Sequence, residues 1–347
     1  MRQCKAVLAA GSMLFAAAAV ATAPPAAAAA TPAGSAQPAA EAAPDRSLIH
    51  IQVILDRLAF SPGVIDGRRG MSLSAALKGY QEANGLPQTG EPDPATLRAL
   101  SAHRSWRPLA RVKLTPQILA GPYYPNLPHG EDQQAKLPAI GYKRPLEKLA
   151  EMFHTTPETL VALNGEGTRI APGVAILVPN VIATDHAYDA KLPDHWRATL
   201  AMLNVDAQQP QAAKVVVLKK DKLLRAYDKD GKLVGQFMVT TGSTHDPLPI
   251  GSWKIYGADY NPKFHYNPAL FWDAKKGDTK AMLPPGPNGP VGVVWLDLSK
   301  EHYGIHGTPE PALIGRTASH GCVRLANWDA ARLAMMIRPG TPAIFQP

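Results

Sequence analysis

The stretch 304–327 gathers the side chains of this chain best suited to covalent chemistry. Cys322 is one of two cysteines in 347 residues, with His320 two positions before it and His306 sixteen before it. Gly307 follows the first histidine and Gly321 directly precedes the cysteine. A thiol attacks as its thiolate, and histidine is the side chain that titrates nearest neutral pH, so together they make a nucleophile and its base. Glycines beside both leave the backbone free to approach a substrate. Plainer readings compete. A lone cysteine is often a small buried hydrophobe, and two histidines with a cysteine can act as three zinc ligands. A structural zinc site wants a fourth ligand and no second cysteine lies nearby, so neither a metal nor a cofactor is expected.

The frame around these residues reads as β. Short strands are expected at 214–219, 223–227, 233–241, 251–256, 291–298 and 342–345, with a turn at Asp228-Lys229-Asp230-Gly231. One helix is expected over 327–337, carrying Ala330, Leu333, Ala334 and Ile337 on one face. Many short strands, one helix and no alternating βαβ pattern predict a mainly β domain over 213–347, a β-sandwich or barrel-like fold with long loops.

Upstream the pattern is helical. Ile49, Ile51, Val53, Ile54, Leu55 and Leu58 space a first helix; a second runs from Leu73 to Asn84 and closes at Gly85. A third starts at Asp93-Pro94, with proline in the first turn, and continues through Leu97 and Leu100. These define a three-helix module over 47–101. Residues 102–138, rich in proline and tyrosine, read as a linker. A second module over 139–181 combines helices at 145–153 and 158–164 with a strand that closes at Pro179. The chain is therefore multidomain α+β. Its 34 prolines cluster at joints, which favours several small modules over one large helical body.

The amino terminus sets the compartment. Met1-Arg2-Gln3-Cys4-Lys5 is a short basic head, and 6–23 is an apolar, alanine-rich run that ends in small residues. This is the pattern of a secretory signal peptide, expected over 1–30. Shortness and alanine content argue against a membrane anchor, so no integral membrane domain is expected after signal removal. Residues 31–46 lack large side chains and read as a flexible linker. Cys4 leaves with the signal, which makes Cys322 the single cysteine of an exported, periplasmic or cell-wall-associated chain. An unpaired thiol in an oxidising compartment is a liability unless it is used. The net charge of +8 is spread along the chain with no basic run interleaved with aromatics, which argues against a nucleic-acid partner. It suits an anionic polymer outside the cell.

Resemblances now have residues to rest on. Leu55, Leu58, Asp66, Gly67, Tyr80, Gln81, Asn84, Gly85, Leu86, Pro87, Thr89, Gly90 and Leu97 resemble the three-helix peptidoglycan-binding domain family. The run LAEMFHTTPETLVALN at 149–164, followed by the ending at 170–179, is similar to the LysM glycan-binding module. The motifs IHG at 305–307, SHGCVRL at 319–325 and TTG…DPLPIGSW at 240–253, with YNP and PPGPNGP between them, resemble the L,D-transpeptidase catalytic domain, the YkuD type.

That resemblance implies a reaction. A cysteine attacks the carbonyl between the third and fourth residues of a peptidoglycan tetrapeptide stem, D-Ala leaves, and an amine of a neighbouring stem takes the acyl group from the thioester. Peptidoglycan stem peptides and glycan are then the partners. Cys322 is the nucleophile and His306 the better candidate for the base, with the Gly307 carbonyl holding its tautomer. Gly321 and Cys322 N–H groups are candidates for an oxyanion hole, Ser319 orders the loop, and His320 shapes it or touches substrate. Arg324 has two readings, a fork for a stem carboxylate and a structural salt bridge. Tyr256, Tyr260, Asn267 and Trp295 are candidate groove residues, although aromatics in a β domain are usually core. His245, His265 and His302 read as ordinary surface residues, and 284–290 as a lid or a rigid connector. Discharge of the same thioester to water would instead give an L,D-carboxypeptidase or a murein hydrolase. A non-catalytic wall-binding protein is the reading from a different class.

Overall fold

The computed structural model describes residues 43–347. The expected signal peptide and most of the expected linker at 31–46 lie outside them. Helix α1 (Arg46–Arg57) starts where the Asp45 carboxylate accepts the Ser47 and Leu48 N–H groups, which would otherwise be orphaned in the first turn. Helices α2 (Met71–Ala83) and α3 (Pro94–Leu100) follow, the latter capped by Asp93 onto the Thr96 N–H. The apolar stripe of α1 is too wide for one partner. Ile51, Ile54 and Leu55 pack on Leu73, Leu77 and Tyr80, while Ile49 and Val53 enter a second core with Leu149, Phe153 and Leu160.

That second core belongs to the middle module. Strand β1 (Leu109–Lys113) lies within the stretch expected to be a linker and pairs antiparallel with β2 (Ala175–Pro179), Leu109 opposite Pro179. Between them come α4 (Glu131–Gln134), α5 (Pro145–Met152) and α6 (Pro157–Asn164). This unit thus takes its first strand from a Pro-rich segment. Helix α7 (Asp194–Met202) then leads into the β domain, with Trp196 and Leu200 buried.

The β domain holds β3 (Lys214–Leu218), β4 (Leu223–Tyr227), β5 (Leu233–Met238), β6 (Gly251–Tyr260), β7 (Phe264–Tyr266), β8 (Ala281–Leu283), β9 (Val294–Leu298), β10 (Gly304–His306), β11 (Val323–Arg324), helix α8 (Asn327–Met336) and β12 (Pro342–Gln346). Eight strands form one sheet in the order β11-β10-β9-β6-β12-β3-β4-β5, while β7 and β8 make a separate hairpin. Strand β6 is longer than its expected 251–256 because two partners share it. Its first half pairs with β12 and its second with β9, across a register shift between Ile255 and Gly257. A bulge there bends the strand and raises the local twist, so the sheet curls. Its two ends then meet: Thr240, just past β5, exchanges backbone bonds of 3.0 and 2.8 Å with Arg324 of β11. The domain is a single curled sheet nearly closed on itself, which fits the barrel-like expectation. The catalytic motif sits at the seam.

The modules are welded rather than strung. Gln236 of β5 exchanges backbone bonds of 2.8 Å with Ala59 and Ser61, so the helical module covers a strand edge that would otherwise be open to pairing with another chain. Helix α8 is buried over nearly its whole length, as a helix enclosed on all sides must be. Around it lies a buried charge cluster drawn from all three modules. Asp56 of α1 sits 3.1 Å from His154 Nδ1 and 3.2 Å from Arg332 Nη2 of α8, and Ser61 donates to Asp329 at 2.6 Å. His154 Nε2 lies 2.7 Å from the Leu203 carbonyl. Both its ring nitrogens thus face oxygen acceptors.

Candidate active site

His306 ends β10 and Cys322 immediately precedes β11, which runs parallel to β10 with Ile305 opposite Val323 and His306 opposite Arg324. The sixteen intervening residues are a crossover that returns the chain beside its own starting strand. Short parallel pairing thus brings the two halves of the motif to one sheet edge.

The His306 ring is 3% exposed and lies parallel to Trp295, with centroids 5.4 Å apart. Its Nδ1 is 2.7 Å from the Gly307 carbonyl. A carbonyl can only accept, so Nδ1 carries the proton and Nε2 keeps its lone pair. Burial, followed by the nearby Arg324 charge, pulls the His306 pKa down to about 3, so the ring is neutral at neutral pH. The Cys322 thiol is free and half-buried, with Sγ 4.0 Å from the His302 carbonyl. Burial pushes its pKa up, while the Gly304 N–H and the Arg324 charge pull the other way. The resting pair is therefore neutral thiol and neutral imidazole. No hydrogen bond joins the two among the described residues, as is common before substrate closes such a site.

The loop around the cysteine is built by backbone bonds. Ser319 donates its N–H to Thr241 at 3.0 Å and its hydroxyl to the Cys322 carbonyl at 2.6 Å. Gly321 adopts φ +97°, and a Cβ there would lie 2.5 Å from the Tyr303 ring, so only glycine fits. Arg324 has its buried Nε unpartnered and lies near the Cys322 thiol and the carboxylates of Glu310 and Asp273.

The remaining expected residues divide. Trp295 stacks directly on His306. Asn267 caps the turn Pro268–Leu270 in the loop between β7 and β8. His320 Nε2 bonds Asp273 of that loop at 2.9 Å rather than the cysteine. Tyr256 is exposed on β6, and Tyr260 stacks on Trp196 of α7 with centroids 4.6 Å apart, a core contact rather than a groove wall. The 284–290 stretch is a connector: the Pro285 carbonyl accepts from Ile140, and Asn288 bonds both Ile140 and Glu147 of the middle module. The loop between β7 and β8 comes over the cysteine loop instead, with Asp273 on His320 and Trp272 stacked on His245. Sequence reasoning named Asn267 of this loop but not Trp272 or Asp273, whose partners His245 and His320 lie far away in the sequence. Missed too were the His302 carbonyl and Asn327, which packs behind Gly307. Among the described residues no cluster of side chains has the make-up of a metal site.

Known proteins similar to this chain carry the family name its motifs point to. Residues 212–345 match the YkuD family, described as "L,D-transpeptidase catalytic domain", and residues 45–100 match the family described as "Putative peptidoglycan binding domain". The carboxy-terminal domain is thus similar to YkuD-type L,D-transpeptidase catalytic domains. The chain is 28% identical over 204 residues to the "Putative L,D-transpeptidase YkuD" of Bacillus licheniformis, a span of 58% of this chain and 93% of that protein. It is 54% identical over 55 residues to the protein of the same description from Bacillus subtilis (strain 168), covering 16% of this chain and 34% of the relative. Among solved structures, an L,D-transpeptidase from Mycobacterium smegmatis aligns with TM-score 0.32 at 18% identity, over 38% of this chain and 58% of that one.

Proposed function

We propose that this protein is an exported peptidoglycan L,D-transpeptidase that joins stem peptides through a thioester on Cys322. The observation that carries this reading is the neutral His306 with its Nδ1 proton committed to Gly307, on the strand beside a free thiol. His306 Nε2 takes the thiol proton as sulfur bonds to the stem carbonyl carbon. The same proton goes to the departing D-Ala amine as the C–N bond breaks. Gly321 and Cys322 N–H groups hold the oxyanion. A stem amine then attacks the thioester and restores the thiol.

A cavity of about 510 Å³ beside the motif, lined by Lys219, Lys222, Thr241, Ser243 and Thr317, offers hydroxyls and positive charge that suit a carboxylate-bearing peptide. Arg324, with its unpartnered guanidinium, is the fork for a stem carboxylate. Arg324→Met raises KM for a disaccharide-tetrapeptide by about 10–100-fold, the loss expected for a hydrogen bond to a charged group, and leaves kcat nearly unchanged. A lowered melting temperature with unchanged KM would make Arg324 structural.

The antiparallel β1–β2 pair flanking α5 and α6 supports the LysM-like reading of the middle module. The peptidoglycan-binding match and the scattered positive charge support a periplasmic or wall-associated location. No described helix is long and apolar enough to cross a membrane.

The deciding measurement is mass spectrometry of wild type and Cys322→Ala mixed with disaccharide-tetrapeptide. D-Ala loss with a cross-linked dimer is expected in the wild type, reduced by at least about 10³-fold in the variant. D-Ala release without dimer would make the protein a carboxypeptidase or hydrolase. Bound muropeptide with no turnover in either protein would leave only wall binding.

A further inference from the structure

Glu151 sits in helix α5 of the middle module, outside the catalytic domain, and is 6% exposed. Among the described residues it has no cationic partner. Its Oε2 accepts from the buried Tyr142 hydroxyl, and its Oε1 accepts from Asn327 Nδ2 at 2.7 Å. A buried carboxyl without a counter-charge is costly, and this one is aimed at the first residue of α8. Asn327 is fully buried, and each of its polar atoms is committed. Oδ1 accepts the Val293 N–H at 3.2 Å, while Nδ2 donates to Glu151 and, at 3.1 Å, to the Pro287 carbonyl. These partners fix which way the amide points.

The amide lies against the backbone that holds the base. A Cβ built on Gly307 would fall 2.0 Å from Asn327 Oδ1, and one on Gly292 would meet the same atom at the same distance. Gly307 therefore rests directly on the Asn327 side chain, and it is the Gly307 carbonyl that takes the His306 Nδ1 proton. A chain of contacts runs Tyr142, Glu151, Asn327, Gly307, His306, crossing from one module to another.

From this we infer that Glu151 is a positioning residue for His306, acting through Asn327, so that the middle module forms part of the catalytic apparatus. The inference rests on the reading of His306 as the base. Without an acceptor at 151, the Asn327 amide keeps only its bonds to Val293 and Pro287, the Gly307 peptide resting on it is held less firmly, and the Nδ1–H tautomer is less strictly enforced. The middle module then contributes to chemistry whether or not it holds glycan.

The test uses full-length protein with ¹⁵N-labelled histidine, in which the ring signals of His306 report its tautomer. Glu151→Met is expected to shift His306 toward a mixture of tautomers and to lower kcat about 10-fold at unchanged KM. Glu151→Gln restores both, because its oxygen accepts from Asn327 and its amide donates to the Tyr142 hydroxyl. Tyr142→Phe, which keeps the volume and removes one anchor of Glu151, gives a partial shift and covers the case in which Glu151→Met fails to fold. Wild-type His306 signals and kcat in a folded Glu151→Met protein, or in Tyr142→Phe where that protein does not fold, overturn the inference. The ring signals do not depend on the acyl acceptor. A tautomer shift in a protein that forms no dimer would thus retire the transpeptidase reading and leave this one standing.

Discussion

His306→Gln slows acylation of Cys322 by about 10²–10⁴-fold and turns its pH dependence into a rise of about tenfold per pH unit. The reason lies in the resting charges. Burial holds the imidazole down to about 3 and pushes the thiol above its ordinary range, so a separated thiolate–imidazolium pair lies far uphill of the neutral pair. The proton must therefore move as the carbon–sulfur bond forms, with the oxyanion donors stabilising the developing negative charge. In the wild type, acylation by a thiol-directed acylating agent should persist into mild acid, since the base does not protonate until about pH 3. In the glutamine variant only pre-formed thiolate reacts, so the rate follows pH up to the thiol's own elevated titration. The comparison needs second-order rate constants, with the adduct resolved by mass, across a pH series. Superimposable profiles for the two proteins would remove His306 from the role of base.

How much of this was legible in the sequence follows from distance along the chain. His306 and Gly307 are adjacent residues, and Cys322 sits in a contiguous heptapeptide. Local spacing singled out the cysteine with its two histidines, and the choice of His306 over His320 came with the family resemblance. The supports of the site come from far away. Asn327 meets Glu151 across 176 positions, Arg332 meets Asp56 across 276, and His320 meets Asp273 across 47. Nothing in the composition near Glu151 separates a buried carboxyl from a solvated one, since it lies in an ordinary amphipathic helix. Strand β1 escaped notice because its alternation is short and its surroundings are rich in proline, while its pairing partner lies some sixty residues on. Strand β6 was read too short because a bulge breaks the period of two. The paired halves of the sheet were visible as short strands, but the closure between Thr240 and Arg324 is set by twist and register, which no window of sequence reports.

The same long-range wiring makes the buried charge cluster the most sensitive point for stability. Asp56→Asn lowers the unfolding free energy by about 3–5 kcal/mol, the cost of removing one partner from a buried pair, and lowers the melting temperature by roughly 10 °C. The substitution keeps shape, so the loss is electrostatic. His154 and Arg332 hold the Asp56 carboxyl well below the usual range despite complete burial. Its contribution is therefore present above the ordinary carboxylate pKa and is lost only in strong acid. Asp329 behaves oppositely. Burial raises its pKa to about 7, and the Asp56 charge adds to that rise. A raised acid contributes stability below its unfolded pKa and loses it as pH climbs through about 7, so the wild type should melt higher at about pH 5.5 than at pH 8. Glu151, raised to about 7 by burial, adds to the same slope. With Asp56 neutralised, Asp329 becomes the remaining counter-charge for Arg332, 3.9 Å away. Its pKa then falls, so the variant should be less stable throughout and also flatter between those two pH values. Because the cluster draws on α1, the middle module and α8, calorimetry should still show one transition. A variant that melts in two steps, or with the wild-type slope, would mean that Asp56 neither couples the modules nor sets the ionisation of Asp329.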